Sequence, residues 1–207
     1  MLTELKGELL LATNNAGKLL EMRQLLAKLD RVTLLSPEDI GIDLDVAETG
    51  RTYLENAGLK AAAFMQATGL PTLADDSGLE VAVLDGEPGL HSKRYSNKPD
   101  ATDADRRAFL LARLAAFPRP WTARFVAWVA FSVPAGEASF WEGSCPGEII
   151  PEERGSNGFG YDPIFYIHSE SRTMAELGDE EKNAVSHRGN AVRAALPALR
   201  KYFSAKD

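Results

Sequence analysis

Leu73-Ala74-Asp75-Asp76-Ser77-Gly78-Leu79 is the stretch on which the fold is read. Apolar residues run straight into two adjacent carboxylates, then a hydroxyl, then a glycine. Pro71 and Thr72 come before them, so Leu73 and Ala74 read as the end of a buried strand. The acids are therefore expected where a strand leaves the core, with Leu79 to Leu84 forming a separate strand. Two adjacent buried acids repel, so the pair needs a cation or one member must hold a proton. Asp75 and Asp76 are candidate ligands for Mg²⁺, which binds through one or two carboxylates plus substrate phosphates. Taken alone, Asp-Asp-Ser-Gly reads as a turn; the rest of the chain shifts that balance.

Upstream, Leu9-Leu10-Leu11-Ala12 reads as a buried strand, followed by the polar turn Thr13-Asn14-Asn15-Ala16-Gly17-Lys18. Leu19, Met22, Leu26 and Leu29 then recur at helical spacing. Asn14 or Asn15 can cap this helix, and its first-turn N–H groups attract an anion. Lys18 sits in that turn, where the helix dipole disfavours a cation unless an anion is present. This is not a P-loop, because the first glycine is missing and Leu19 follows the lysine. Val32 to Leu35 reads as a second strand. Thr52-Tyr53-Leu54-Glu55 is a capping box opening a helix to about Ala67, with Leu54, Ala57, Ala61 and Phe64 as its buried stripe. Asn56 and Lys60 share another face, and Glu48 just ahead of the helix is a candidate third metal carboxylate.

Downstream, the loop Asp85 to Pro99 carries His91-Ser92-Lys93-Arg94-Tyr95-Ser96, with cations suited to phosphate. Thr102 and Asp105 cap a helix whose expected stripe is Ala104, Ala108, Leu111 and Ala115. Thr122 to Val133 is apolar on both faces, which predicts a central strand; a turn at Pro134 leads into a long hairpin partner ending at Ile150. In Gly155-Ser156-Asn157-Gly158-Phe159-Gly160-Tyr161-Asp162-Pro163, glycines flank an aromatic that can stack on a planar base. Near the end, Ser186 can cap a last helix with the stripe Val192, Ala195, Leu199 and Phe203. His187 and Arg188 fall in its first turn, a position that suggests a ligand.

A net charge of −7 argues against a general nucleic-acid-binding surface. The one cysteine, Cys145, excludes an intrachain disulfide, fits a cytoplasmic location and reads as a packed side chain. No cleavable signal and no membrane-spanning run is read, and the three histidines form no zinc-type pair.

Together these motifs resemble the inosine triphosphate pyrophosphatase family over nearly the whole chain. The resemblance rests on Thr13 to Lys18, Glu48-Thr49-Gly50, Glu55-Asn56-Ala57 with Lys60, and Asp75 to Leu79. It continues through Ser92 to Ser96, Gly158 to Pro163 and Lys182 to Gly189. The chain departs from it at Asn14, where many members have glycine, and at Ala47, where some have a second acid. The resemblance implies an α/β fold with a long twisted mixed sheet flanked by helices, two lobes with a central substrate cleft, and a homodimer. It makes residues 1–207 a single domain. It also implies hydrolysis of ITP, dITP and XTP to monophosphate and pyrophosphate. By the same resemblance Asp76 is general base and metal ligand, and Ser77 touches substrate. The segment Thr13, Asn14, Asn15, Ala16, Gly17 and Lys18 holds the triphosphate. Phe159, Gly160, Tyr161, Asp162, Lys182, His187 and Arg188 surround the nucleoside.

The residue chemistry is coherent with that reading. Mg²⁺ on Asp76, Glu48 and Asp75, with Lys18, Lys60 and a helix N-terminus, can neutralise departing pyrophosphate; Arg94 adds a further phosphate contact. Lys182, Arg188 and protonated His187 are donors that suit the 6-oxygen of hypoxanthine and xanthine over the amino group of adenine. Guanine shares that oxygen, so its rejection needs another feature. Two other readings are a pyrophosphatase for modified pyrimidine nucleotides and a nucleotide-binding regulator without turnover. A substrate panel separates the first, and pyrophosphate release the second.

Overall fold

The computed structural model describes residues 7–204. The reading of a chain start without a cleavable signal begins in residues 1–6, outside the described residues. Seven strands and five α-helices are present among them: β1 (Gly7–Leu11), α1 (Ala16–Leu26), β2 (Val32–Leu35), α2 (Tyr53–Thr68), β3 (Thr72–Val81), α3 (Asp103–Leu114), β4 (Trp121–Ser132), β5 (Ser139–Ile149), β6 (Phe165–Ile167), β7 (Arg172–Thr173), α4 (Asp179–Val185) and α5 (His187–Ser204). One mixed sheet takes them in the order β2-β1-β3-β4-β5-β6-β7. β1 is parallel to β2 and β3, while β5, β6 and β7 pair antiparallel. This is the α/β mixed sheet expected from the sequence.

The described residues divide into two compact units, residues 7–76 with 127–143 and 188–204, and residues 77–126 with 144–187. In the first unit β1 is buried on both faces, which is why it reads as an unbroken apolar run. Leu9 and Leu11 join Met22, Leu26, Val129, Val192 and Leu199 in one cluster. Leu10 and Ala12 join Ala57, Ala61, Phe64 and Ala74 in another. The second unit packs Leu79, Val81, Leu110, Leu114, Phe125, Ile149 and Phe165 into its own core. Cys145 lies in that core, and burial pushes its thiol up to about 11, as befits a packed side chain.

Three elements differ from their sequence reading. β3 does not end at the acids: it runs unbroken through Asp75, Asp76, Ser77 and Gly78 to Val81, followed by a 3₁₀ turn at Ala82–Leu84. The strand continues because each acid is charge-paired within it, as described below. In α2 the Thr52 side chain caps Glu55 N, but the Glu55 carboxylate accepts from Arg51 N, one residue before the cap. In α3 the buried residues are Leu110 and Leu114; of the expected stripe Leu111 packs half-buried against the same core, while Ala104, Ala108 and Ala115 are exposed. Alanines lose the contest for the core to the longer leucines on the neighbouring stripe. Helix α5 runs through Pro197 without interruption.

Candidate active site

Successive residues of a strand point to opposite faces, and this separates Asp75 from Asp76. In the first unit Asp75, 1% exposed, directs Oδ2 to Lys18 Nζ at 3.0 Å. The same oxygen accepts from Arg188 Nε at 3.1 Å and Nη2 at 2.9 Å. Arg188 Nη1 also donates to Glu21 Oε2 on α1. Burial pushes the Asp75 carboxyl up, but Arg188, Lys18 and Lys60 outweigh it and hold the group well below the usual carboxylate range. Its Oδ1 is buried without a hydrogen-bond partner.

Asp76 has a different set of neighbours. Its Oδ1 accepts from Lys60 Nζ at 3.2 Å, and its Oδ2 from Asn56 Nδ2 at 3.2 Å. Lys60 also donates to Glu48 Oε1 at 3.0 Å, so one ammonium sits between two carboxylates. Asn56 accepts from Gly50 N at 2.8 Å, which ties the segment after Glu48 to the same point. Burial raises the Asp76 pKa; Lys60 and Lys18 oppose it, and Glu48 and Asp75 reinforce it. The two adjacent acids are thus unlike: Asp75 is held ionised by Arg188, Lys18 and Lys60, and Asp76 is made more basic.

Lys18 is placed by its turn. Thr13 Oγ1 accepts from Asn15 N, and Asn15 Oδ1 caps α1 by accepting from Lys18 N at 3.0 Å. Burial lowers the Lys18 pKa, with Asp75 opposing. Asn14 and Ala16 are exposed beside it, with Gly17 half-buried.

In the second unit, Gly158 to Asp162 forms a tight loop. The Phe159 N–H donates to Asp162 Oδ2 at 2.9 Å, and the Lys182 ammonium reaches the same oxygen at 2.5 Å. Lys182 also lies 4.8 Å over the Phe159 ring, a cation–π contact. Gly158 has φ +76, and a Cβ there would meet Asp162 Oδ2 at 2.1 Å, so both backbone sign and space require glycine. The Tyr161 hydroxyl donates to Ser92 O at 2.9 Å. His187 is buried and stacks on Phe125 at 4.7 Å and 13°. Ser77 is half-buried and Arg94 exposed.

The donor set suits a hard divalent cation in one respect: Asp76 and Glu48 already flank one positive charge. Among the described residues no three His, Cys, Asp or Glu form a ready metal cage. Substrate oxygens and water would complete the shell, as Mg²⁺ ordinarily requires.

Residues 9–198 match the Ham1 family. The chain belongs to that family. It is 48% identical over 194 residues to a dITP/XTP pyrophosphatase of Thermus thermophilus, covering 93% of this chain and 92% of that protein. The dITP/XTP pyrophosphatase of Escherichia coli O157:H7 is 45% identical over 196 residues, 93% of this chain and 98% of the relative. Among solved structures, a HAM1 protein from Coxiella burnetii superposes with a TM-score of 0.83 at 43% identity, covering 94% and 99% of the two chains. The Ham1 membership agrees with the family resemblance carried by the sequence motifs.

Within this Ham1 chain several partners escaped the sequence reading. Glu21 is one; its signal is a carboxylate beside Met22 on a buried helix stripe. Phe125 is another, and nothing distinguishes it from its apolar strand neighbours. Arg188, read as a base-contacting donor, is 1% exposed and donates to Glu21 and Asp75.

Proposed function

We propose that this chain hydrolyses the non-standard purine nucleoside triphosphates dITP, ITP and XTP to the monophosphate and pyrophosphate. The observation that carries the reading is the division of labour between Asp75 and Asp76, in a chain whose relatives are named dITP/XTP pyrophosphatases. Residues 1–207 count as a single domain in this reading, supported by a family match over residues 9–198. Asp76 accepts the proton of the water attacking the α-phosphorus; its raised pKa moves it toward what a base needs near neutral pH. Lys60, which donates to both Asp76 and Glu48, keeps their carboxylates in place. Lys18 retains two N–H donors beyond its bond to Asp75, and with the α1 N-terminus it takes up phosphate charge. Phe159 offers a flat face to the base, and Lys182, which lies 4.8 Å over that ring, and His187 serve as donors. Asp76 and Glu48, the two carboxylates that share Lys60, would hold Mg²⁺, which when bound supplies charge neutralisation and a more acidic water; Asp75, paired with Lys18 and Arg188, stays outside that shell.

A pyrophosphate-release assay with dITP, XTP, dATP, dGTP and dUTP, with and without Mg²⁺, tests the proposal. Pyrophosphate from dITP and XTP with Mg²⁺ is expected. Release of orthophosphate instead, or a preference for dUTP, overturns it. A homodimer in the cytoplasm, supported by the family resemblance and the reducing-compartment cysteine usage, is tested by light scattering and fractionation.

Two variants probe the phosphate and metal roles. Lys18→Ala should weaken dITP binding by about tenfold or more, the worth of a charge-assisted hydrogen bond, and leave inosine binding unchanged. Equal weakening of inosine would reveal a folding defect. Glu48→Gln should shift the Mg²⁺ titration of activity to higher concentration, and an unmoved titration removes Glu48 from the metal shell.

A further inference from the structure

Helix α3 carries one inward stripe with two characters. At its C-terminal end the stripe is apolar, Leu110 and Leu114, both fully buried. Seven residues before each of these, on the same face, stand Asp103 and Arg107. A core-facing helix would ordinarily continue with apolar residues. Here the charged turn meets a piece of backbone instead. Asp103 Oδ2 accepts from Gly160 N at 2.8 Å, and Arg107 Nη1 donates to Gly160 O at 2.9 Å. Both main-chain polar groups of one glycine are thus held by side chains more than fifty residues away in the chain. Gly160 has φ +63, the left-handed region.

Each clamp residue is itself braced. Arg106 Nη2 binds the other oxygen of Asp103. Arg107 makes a bidentate pair with Glu153, Nε to Oε1 at 2.8 Å and Nη2 to Oε2 at 3.0 Å, on the approach to the same loop. A bidentate pair fixes the plane of the guanidinium as well as its distance. Gly160 follows Phe159 directly, and Phe159 is fixed on its other side by Asp162 and Lys182.

We propose that Asp103 and Arg107 are positioning residues that set the Phe159 ring for the purine by pinning Gly160. This rests on Phe159 being the base platform of the proposed reaction. The clamp acts on base binding and not on the phosphate chemistry, so it should appear in KM and not in kcat.

The test is a double-mutant cycle read with dITP. Arg107→Met keeps the aliphatic stem and removes the bond to Gly160 O; it should raise KM about fivefold or more, with kcat within about twofold. Asp103→Ala cuts the same glycine from its N–H side and should do the same, so the proposal does not depend on one variant folding. Arg107→Lys, able to reach Gly160 O but not to make the bidentate pair, should recover part of the loss. In a Phe159→Ala background, Arg107→Met should add little. If Phe159→Ala leaves KM unchanged, the platform reading falls and the proposal with it. A raised KM in Phe159→Ala with normal KM in Arg107→Met and Asp103→Ala overturns the positioning role alone. Equal effects of Arg107→Met with and without Phe159 also overturn it, because the clamp would then act by another route. Absence of dITP turnover in the unmutated protein refutes the proposed function itself.

Discussion

Asp76→Asn should lose about 100-fold or more in turnover, the ordinary contribution of a general base, while the protein still folds. The substitution is nearly isosteric but not neutral in its hydrogen bonds. Asp76 accepts from two donors, Lys60 and Asn56, one at each oxygen. An asparagine can face only one of them with its oxygen; its amino group must face the other. Asn56 cannot simply turn over, because its own oxygen is engaged by Gly50 N. The mismatch should therefore fall on Lys60, which can swing toward Glu48. A stability loss of about 1–3 kcal/mol is expected from one such unmatched contact, too little to unfold a domain of this size. Thermal unfolding and pyrophosphate release, measured on the same sample, separate the two effects. Turnover within a few fold of the unmutated protein would remove Asp76 from the role of base.

Much of this site is legible in the sequence because its local devices are short. A cap on α1 at Asn14 or Asn15, which the fold places at Asn15, and Thr52 capping α2 follow from a polar residue ahead of a periodic apolar run. The burial of β1 on both faces follows from four consecutive apolar residues, Leu9 to Ala12. What sequence does not show is which distant charge meets which. Read locally, Asp75 and Asp76 end a strand, since two carboxylates in a row are costly to bury. Their cations come from α1, α2 and α5, as far as 113 residues away, and with those in place β3 continues through the acids. The same limit hid the character of α3. Its alanines suggested one stripe, and the real inward face begins with two charged residues whose partner, Gly160, lies 57 residues on.

Arg188→Met should destabilise the protein by about 3–5 kcal/mol, the usual cost of removing one partner from a buried ion pair. The guanidinium is the largest fully buried side chain and holds two carboxylates from separate elements, Glu21 on α1 and Asp75 on β3. Methionine fills much of the volume but satisfies neither acid. Asp75 would keep Lys18 as its ion-pair partner and Lys60 beyond it, with Oδ1 already lacking a hydrogen bond. For a chain of this length each kcal/mol moves Tm by about 2–4 °C, so a fall of about 10 °C is the expected reading. Arg188→Lys should restore part of it, since an ammonium reaches one acid well but cannot present a planar fork to two. Glu21→Gln in the Arg188→Met background should then recover stability, because it removes one of the stranded charges. That recovery distinguishes an internal tie from a base-contacting arginine. A residue whose first task is to read the purine would raise KM for dITP on substitution, leave Tm within a degree or two, and show no coupling to Glu21. Tm and kcat/KM across the four proteins of the cycle decide between them, and an unchanged Tm in Arg188→Met returns the arginine to the base.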